Sequence, residues 1–519
     1  MRIERGGWTL DILDGALRTI CWQGTEVVRA IDCPIRDESW GTYPQEAIGE
    51  SWDDSEGTYT RRFAIADGTL TGMFQAIFDP SGALLATLVL QAHRDFPTNR
   101  AGFVVLHPIA GVAGTPLIVN KTEQAEFPAL ISPSQPALNI TSLSHRRNGV
   151  LIELEFSGEI FEMEDQRNWG DASFKTYCRP LALPTPYTLK AGEEVWQRIV
   201  VKAVARRPEL LLAAESGWSD PDDDLESLPV LLRLHAHETG AEPWVAELAR
   251  GRALDLEVVI PQSAAPEQHL VTVAEALAAQ GISPRHVIAL PEAYLKSYQP
   301  SGPWPAGTTP SEAARAARNA FPDARIGVGM LTNFAEVNRC RPEPGVGDYL
   351  TFSTTAIVHA ADDRSVWETL ETLPQILESA RALAPGLPIR LGLVSIGMRT
   401  NPYGATVAPN PELARRPMAQ NDPRQHVEFA AEYARAIYQI AAQAGIEALA
   451  LSSRGGPFEA RGALLQEIRN LSHPQPLPGY PLGAGTPSSL GKRGEQIPFL
   501  SPFPSEGRAP GRGARGEVL

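Results

Sequence analysis

The chain has 519 residues, too many for one ordinary domain, and implies about two or three. Hydrophobic residues at 43% and charged residues at 21% supply a large core and exclude general disorder. The balance of 46 basic against 61 acidic residues, a net charge of −15, argues against nucleic acid or an anionic membrane as principal partner and leaves a small molecule as the default.

The opening MRIERGGWTL has no apolar run to act as a signal, and no run of about 18 apolar residues that could span a bilayer occurs anywhere, so the cytoplasm is the expected compartment. Cys21, Cys33, Cys178 and Cys340 stand far apart without a CxxC, which suits neither a disulfide framework nor a zinc site. They read as reduced thiols in or near cores.

From the start to residue 205 the chain shows short alternating or β-branched runs, such as GTYTRRFAIADGTLTGMFQAIF, LLATLVLQAHRD and VWQRIVVKAVA, broken by Gly, Pro and Asp-Gly turns. That pattern predicts a β-sandwich domain over 1–205, large enough to be of the supersandwich type. Within it, 159-EIFEMEDQRNWGDASFKTY-177 interleaves charges with Phe161, Trp169, Phe174 and Tyr177. Such aromatics need burial and such charges need partners when dehydrated, so the segment is expected to form a polar seam against the second domain. Asp165, Arg167 and Asn168 could in addition reach a sugar hydroxyl.

An acidic linker over 206–229, containing SGWSDPDDDLESLP, precedes a change of rhythm. Apolar runs at 230–237, 254–261, 286–292, 325–331, 348–353, 389–395 and 447–453 alternate with Ala-rich amphipathic helices. The alternation predicts a TIM-type (β/α) barrel over 230–470, the catalytic domain, with its eighth strand missing. The Pro/Gly/Ser-rich remainder, 471–519, reads as a disordered tail. Its abrupt onset suggests a change of coding frame near residue 470; a natural linker-like extension is the alternative.

Several long stretches carry a family resemblance: EIFEMEDQRNWGDASFKTYCRPLALPTPYTLKAGE, GFVVLHPIAG, LISPSQPALNI, LTNFAEVNRCRP, VHAADDRSVWETL and IGMRTNPYG followed by NDPRQ. From the first residues to about 468 the chain resembles the D-apionate lactonases of bacterial apiose catabolism. The resemblance implies a hydrolase that opens D-apionolactone, a five-membered sugar lactone, to D-apionate. It also implies a β-sandwich, an α/β barrel and a C-terminal β portion, and the tail after Leu471 departs from the last of these.

Barrel enzymes carry their chemistry at the C-terminal ends of the strands. Lactone hydrolysis needs a base for water, donors for the developing oxyanion and an acid for the departing ring oxygen. Glu292 after the third strand, Glu336 in TNFAEVNR after the fourth and His359 after the fifth are the proton-transfer candidates. For Glu292 the argument is that an unpaired carboxylate at a strand end is costly unless it is used; for Glu336 the competing role is an ion pair with Arg339 or Arg341. Asn333, Asn338, Arg399 and Asn401 are the candidate substrate donors, with Tyr403 nearby. NDPRQH at 421–426 reads as an N-cap that starts the long helix after it.

No cofactor is expected, since no Gly-rich phosphate loop follows a strand, and no metal. His235-Ala-His237 has the spacing of a metal pair, but the sixth strand lacks a matching histidine. Ser452-Ser453-Arg454 lacks the GxSxG of a nucleophile elbow. The alternatives to a lactonase are a glycoside hydrolase of the same two-domain plan, for which the usual Asn-Glu pair is absent, and a noncatalytic or decayed carbohydrate-binding protein. Oligomeric state is not legible.

Overall fold

The computed structural model describes residues 1–205, 230–249, 251–300, 302–402, 407–453 and 456–472. The linker, Tyr403, Arg454 and the predicted tail from residue 473 on lie outside them, while residues 471 and 472, expected to be disordered, end the helix Gly462–Ser472.

The first 205 residues form two large antiparallel sheets. One has eight strands, Arg2–Arg5, Trp8–Leu13, Ala16–Trp22, Thr25–Asp32, Val104–Pro108, Ser173–Cys178, Phe161–Asp165 and Ala137–Ile140 in spatial order. The other has nine, with the long strand Glu194–Ala205 at its centre, between Val150–Ser157 and Leu84–Ala92. Both sheets contribute to one apolar core that includes Leu17, Ile31, Phe63, Phe74, Leu88, Ile152 and Ile199. Alternation in the sequence becomes alternation of burial: in Leu70–Phe78 every second side chain is inside.

Ser173–Cys178 is different, because all six residues are buried. Phe174 and Cys178 join the sandwich core, whereas Ser173 and Lys175 line a cavity on the other side of the sheet. A strand covered on both faces cannot show a plain polar alternation, and its polar residues must find partners inside the protein. That accounts for the unusual composition of 159–177.

The second half supplies seven parallel strands paired in chain order: Val230–Leu234, Leu254–Ile260, Pro284–Pro291, Arg325–Gly329, Tyr349–Thr355, Ile389–Ser395 and Ala448–Ala450. Helices follow the strands; Pro310–Ala320 begins in a reciprocal capping box between Thr309 and Glu312. All seven expected strands are present in a nearly closed barrel. Among the described residues the seventh is not paired with the first, so the seam stays unsealed.

One local expectation is overturned. The long helix starts at Glu428 behind Val427, not at Asn421 or Asp422. Asp422 instead takes two hydrogen bonds from the Arg424 guanidinium, at 2.8 and 2.7 Å, and one from the Arg424 backbone N–H, so its carboxylate clamps a loop rather than capping a helix.

The 159–177 segment is the seam. A single 3-10 turn, Gln166–Trp169, has all four residues buried and ends at Gly170 with φ +91°, a left-handed turn that favours glycine. Arg167 donates to Gln375 Oε1 on the helix Asp363–Leu383 at 2.6 Å, and Asn338 Nδ2 on the helix Phe334–Arg339 donates to Asn168 Oδ1 at 3.1 Å. Ser379 Oγ accepts from the Ile131 N–H at 3.0 Å.

Candidate active site

At the end of the fourth barrel strand the chain turns through Thr332 and Asn333 into the short helix Phe334–Arg339, whose first turn carries Glu336. Glu336 is 3% exposed; one carboxyl oxygen, Oε2, accepts from Thr332 Oγ1 at 2.9 Å, and the other, Oε1, meets no partner at hydrogen-bonding geometry among the described residues, with the Ser297 hydroxyl near enough to favour its charged form. Burial pushes its pKa above the usual carboxylate range, against the pull of the Arg339 charge and the Thr332 hydroxyl. An ion pair with Arg339 or Arg341 does not form. Arg339 donates to Ser297 Oγ at 2.9 Å and lies over the Trp169 ring, while Arg341 turns back to Asn338.

Beside it, Asn333 is 6% exposed and its side-chain amide makes no hydrogen bond among the described residues, not even as a helix cap. Thr332, Asn333, Ser353, Thr355 and Arg399 border a space of about 10 Å³ between the fourth, fifth and sixth strand ends, which is the room one water occupies. The buried Ser353 hydroxyl there is also unpartnered among the described residues.

Arg399 belongs to a triad that sequence reasoning missed. Glu257 on the second strand bridges Arg233 of the first strand at 2.8 Å and Arg399 at 2.9 Å. Burial works against the Glu257 charge, but the two guanidiniums hold its pKa below the ordinary value. Burial and the Arg399 charge bring Arg233 down to about 10. One carboxylate between two cations leaves the strand ends positive, favourable to a developing oxyanion. Charged residues inside the runs VLLRLHAH and LDLEVVIP were the available signal.

The other candidates are dispersed. Glu292 is exposed on a 3-10 turn, so the argument that its carboxylate is costly unless used loses its premise of burial. His359 stands at the seam: its Nδ1 is 2.7 Å from Asp171 Oδ2 and its ring meets Trp169 edge-on at 6.2 Å. Burial lowers the His359 pKa and Asp171 raises it. His359 borders a cavity of about 980 Å³ and not the water-sized space. Trp169 contacts both neighbourhoods, His359 on one side and Arg339 on the other.

Asn338 is committed to Ile131 O and Asn168, and Asn401 is half-buried in a loop whose Pro402 carbonyl accepts from the Ser297 N–H at 2.9 Å. Asp165 and Arg167 are fully buried against each other, and Asn168 donates to the Ser132 and Asp165 carbonyls. All three spend their polar atoms within the protein, so a direct sugar contact from them is not supported. His235 and His237 stack with centroids 6.2 Å apart, and among the described residues no group of three or more His, Cys, Asp or Glu is arranged to hold a metal ion. Ser452 Oγ braces its own loop, accepting from the Ala460 N–H at 2.8 Å.

Comparison with known proteins bears on this arrangement. Residues 1–206 match the D-apionate lactonase N-terminal domain and residues 230–485 the D-apionate lactonase TIM barrel domain. A D-apionate lactonase of Brucella anthropi is 36% identical over 503 residues, covering 88% of this chain and 82% of its own. Among solved structures, a fungal β-1,4-galactanase is 13% identical over 47% of this chain and 87% of its own, with a TM-score of 0.30. A GH36 α-galactosidase of Geobacillus stearothermophilus is 9% identical over 87% and 78%, with a TM-score of 0.28. These two scores are too low to carry an argument.

The match to a D-apionate lactonase over most of both chains makes this β-sandwich and parallel barrel a carboxylic ester hydrolase that acts on a lactone. The chain belongs to the D-apionate lactonase family. Among the described residues no helix is long and apolar enough to cross a membrane.

Proposed function

We propose that the chain opens the five-membered ring of D-apionolactone to D-apionate, using water activated at the barrel mouth by Glu336. The observation that carries this is the pairing of a buried carboxyl whose Oε1 meets no partner at hydrogen-bonding geometry with an Asn333 amide beside it that makes no hydrogen bond, both among the described residues. Family membership supplies the substrate class.

In this reading a water in the small space attacks the lactone carbonyl carbon and its proton passes through the Thr332 hydroxyl to Glu336. The carbonyl oxygen, now carrying the negative charge, is held by Arg399 and Asn333; Arg399 has five N–H donors and gives one to Glu257, beside an ion-pair contact from its other amino group. Collapse of the tetrahedral species breaks the bond to the ring oxygen, which takes the proton back from Glu336. A carboxyl with a raised pKa suits both halves of the exchange near neutrality. His359, held by Asp171 at the seam, takes no step in it.

The cytoplasm fits such a metabolic role and the four free thiols. The test is proton release in a weakly buffered solution of D-apionolactone, with and without a chelator, and with an aryl glycoside in parallel. We expect lactone-dependent acidification that the chelator leaves intact and no glycoside turnover. Glycoside cleavage without lactone opening would replace this reading.

A further inference from the structure

A cavity of about 980 Å³ has no part in the chemistry above and shares no lining residue with the water-sized space at the barrel mouth. It lies between the eight-stranded sheet and the loop after the fifth barrel strand, with Ser173 and Lys175 on one side and His359 and Asp362 on the other. Its lining holds eight lysines and arginines against six aspartates and glutamates, in a chain whose net charge is −15.

Two of those cations make no direct ion pair among the described residues, although the Asp32 carboxylate also acts on Arg61 through space. Arg100, 6% exposed, has its guanidinium 3.9 Å from the Tyr177 ring centre and 5.2 Å from that of Trp40; its side chain makes no hydrogen bond or ion pair among the described residues. Arg61, 8% exposed, donates to the neutral Gln45 Oε1 at 3.0 Å and has no carboxylate within ion-pair distance among the described residues. A buried guanidinium without a carboxylate is costly unless an anion completes it. Stacking between two aromatic rings fixes the plane of the Arg100 fork, which preorganises it for a carboxylate. Tyr43, Gln45 and Gln166 add an aromatic face and amide groups to the lining, partners suited to the C–H faces and hydroxyls of a polyol.

We propose that this seam cavity is a second binding site, for the carboxylate form of a sugar acid, with Arg100 and Arg61 as its anion-binding residues. The volume falls at the upper end of small-ligand sites and admits a polyhydroxy acid with water around it. The choice of a sugar acid over other small anions rests on the lactonase reading; the unpaired guanidiniums do not. The site joins both halves of the protein, so a ligand in it tightens the seam.

Calorimetric titration of the full chain with sodium D-gluconate, acetate and inorganic phosphate tests the proposal. Gluconate should bind with a dissociation constant of about 1 mM or lower, acetate and phosphate much more weakly. Arg100→Gln and Arg61→Gln should each weaken gluconate about tenfold or more while lactone turnover is kept. If Arg100→Gln does not fold, Arg61→Gln decides. Glu336→Gln should retain gluconate binding and lose turnover, so gluconate binding that depends on Arg100 in a chain without lactonase activity would leave the site standing and the function fallen. Equal binding in both arginine variants, loss of binding in Asn333→Ala instead, no gluconate binding, or phosphate binding as tight as gluconate would each overturn the assignment.

Discussion

Nδ1 of His359, just past the fifth barrel strand, lies 2.7 Å from Oδ2 of Asp171, in the turn after the buried Gln166–Trp169 segment of the sandwich. The barrel thus supplies the imidazole and the sandwich its carboxylate. Burial pulls the His359 pKa down and Asp171 props it up, so Asp171→Asn should lower it further. A histidine NMR titration of the two proteins checks this; an unchanged or higher value would mean that Asp171 does not set the charge of His359.

Glu336→Gln should cost activity and add stability. As the mediator of both proton transfers, its loss should reduce the turnover number by roughly 10²-fold or more. The raised folded pKa means that the native state holds this proton more tightly than the unfolded chain. Its contribution is therefore fully present below the unfolded carboxyl value, about 4.3, and is lost as pH rises through the folded pKa. The neutral amide escapes that loss, so the variant should melt higher than the parent at pH 8, with the gap closing in acid. A lower melting temperature at pH 8 with full activity would remove Glu336 from the site.

Arg167 makes five hydrogen bonds with its five N–H groups: two to Asp165, one each to the Pro128 and Ala129 carbonyls and one to Gln375. Arg167→Ala strands the buried Asp165 carboxylate, and should destabilise by about 3–5 kcal/mol in urea unfolding. Gln375→Ala removes one bond of the five and should cost about 1–3 kcal/mol. In either variant that remains folded KM should be unchanged; a selective rise in KM would return Arg167 to substrate contact.

The sandwich core holds an acid-sensitive pair. His107 and His145 are buried with ring centres 5.9 Å apart, and neither nitrogen of His145 meets a partner at full hydrogen-bonding geometry among the described residues, only the Arg146 backbone nearby. Burial drives His107 well below the ordinary histidine value, and brings His145 to about 4. Both are neutral in the native state, so their contribution is intact above the unfolded value of about 6.5 and is lost as pH falls through the folded pKa. Each excess proton bound by the unfolded chain costs about 1.4 kcal/mol per pH unit in that window. His145→Phe, which keeps a ring against Phe127 at 5.0 Å, should lose less melting temperature between pH 7 and 5 than the parent. An identical decline would show that the pair does not set acid stability.

What the sequence determined by itself was the class of each half and the family. Period-two runs such as Leu70–Phe78 stand for strands with one face wet, and the apolar runs between Ala-rich helices stand for barrel strands buried on both sides. Both signals are local, set by which side chains a pleat or a helix turns inward. Tertiary structure decided which polar groups meet. Glu292 and Glu336 look alike at their strand ends, yet one is exposed and the other 3% exposed, because only the second is covered by its own helix and the seam. Arg233 and Glu257 lie on two different strands and Arg399 in the loop after a third, and they become a triad only when the sheet curves round. Asp171 and His359 are 188 residues apart and meet at hydrogen-bonding distance because two domains dock there. Electrostatics falls off with distance in space and takes no account of distance along the chain, so chemistry made of long-range pairs stayed hidden until the fold brought them together.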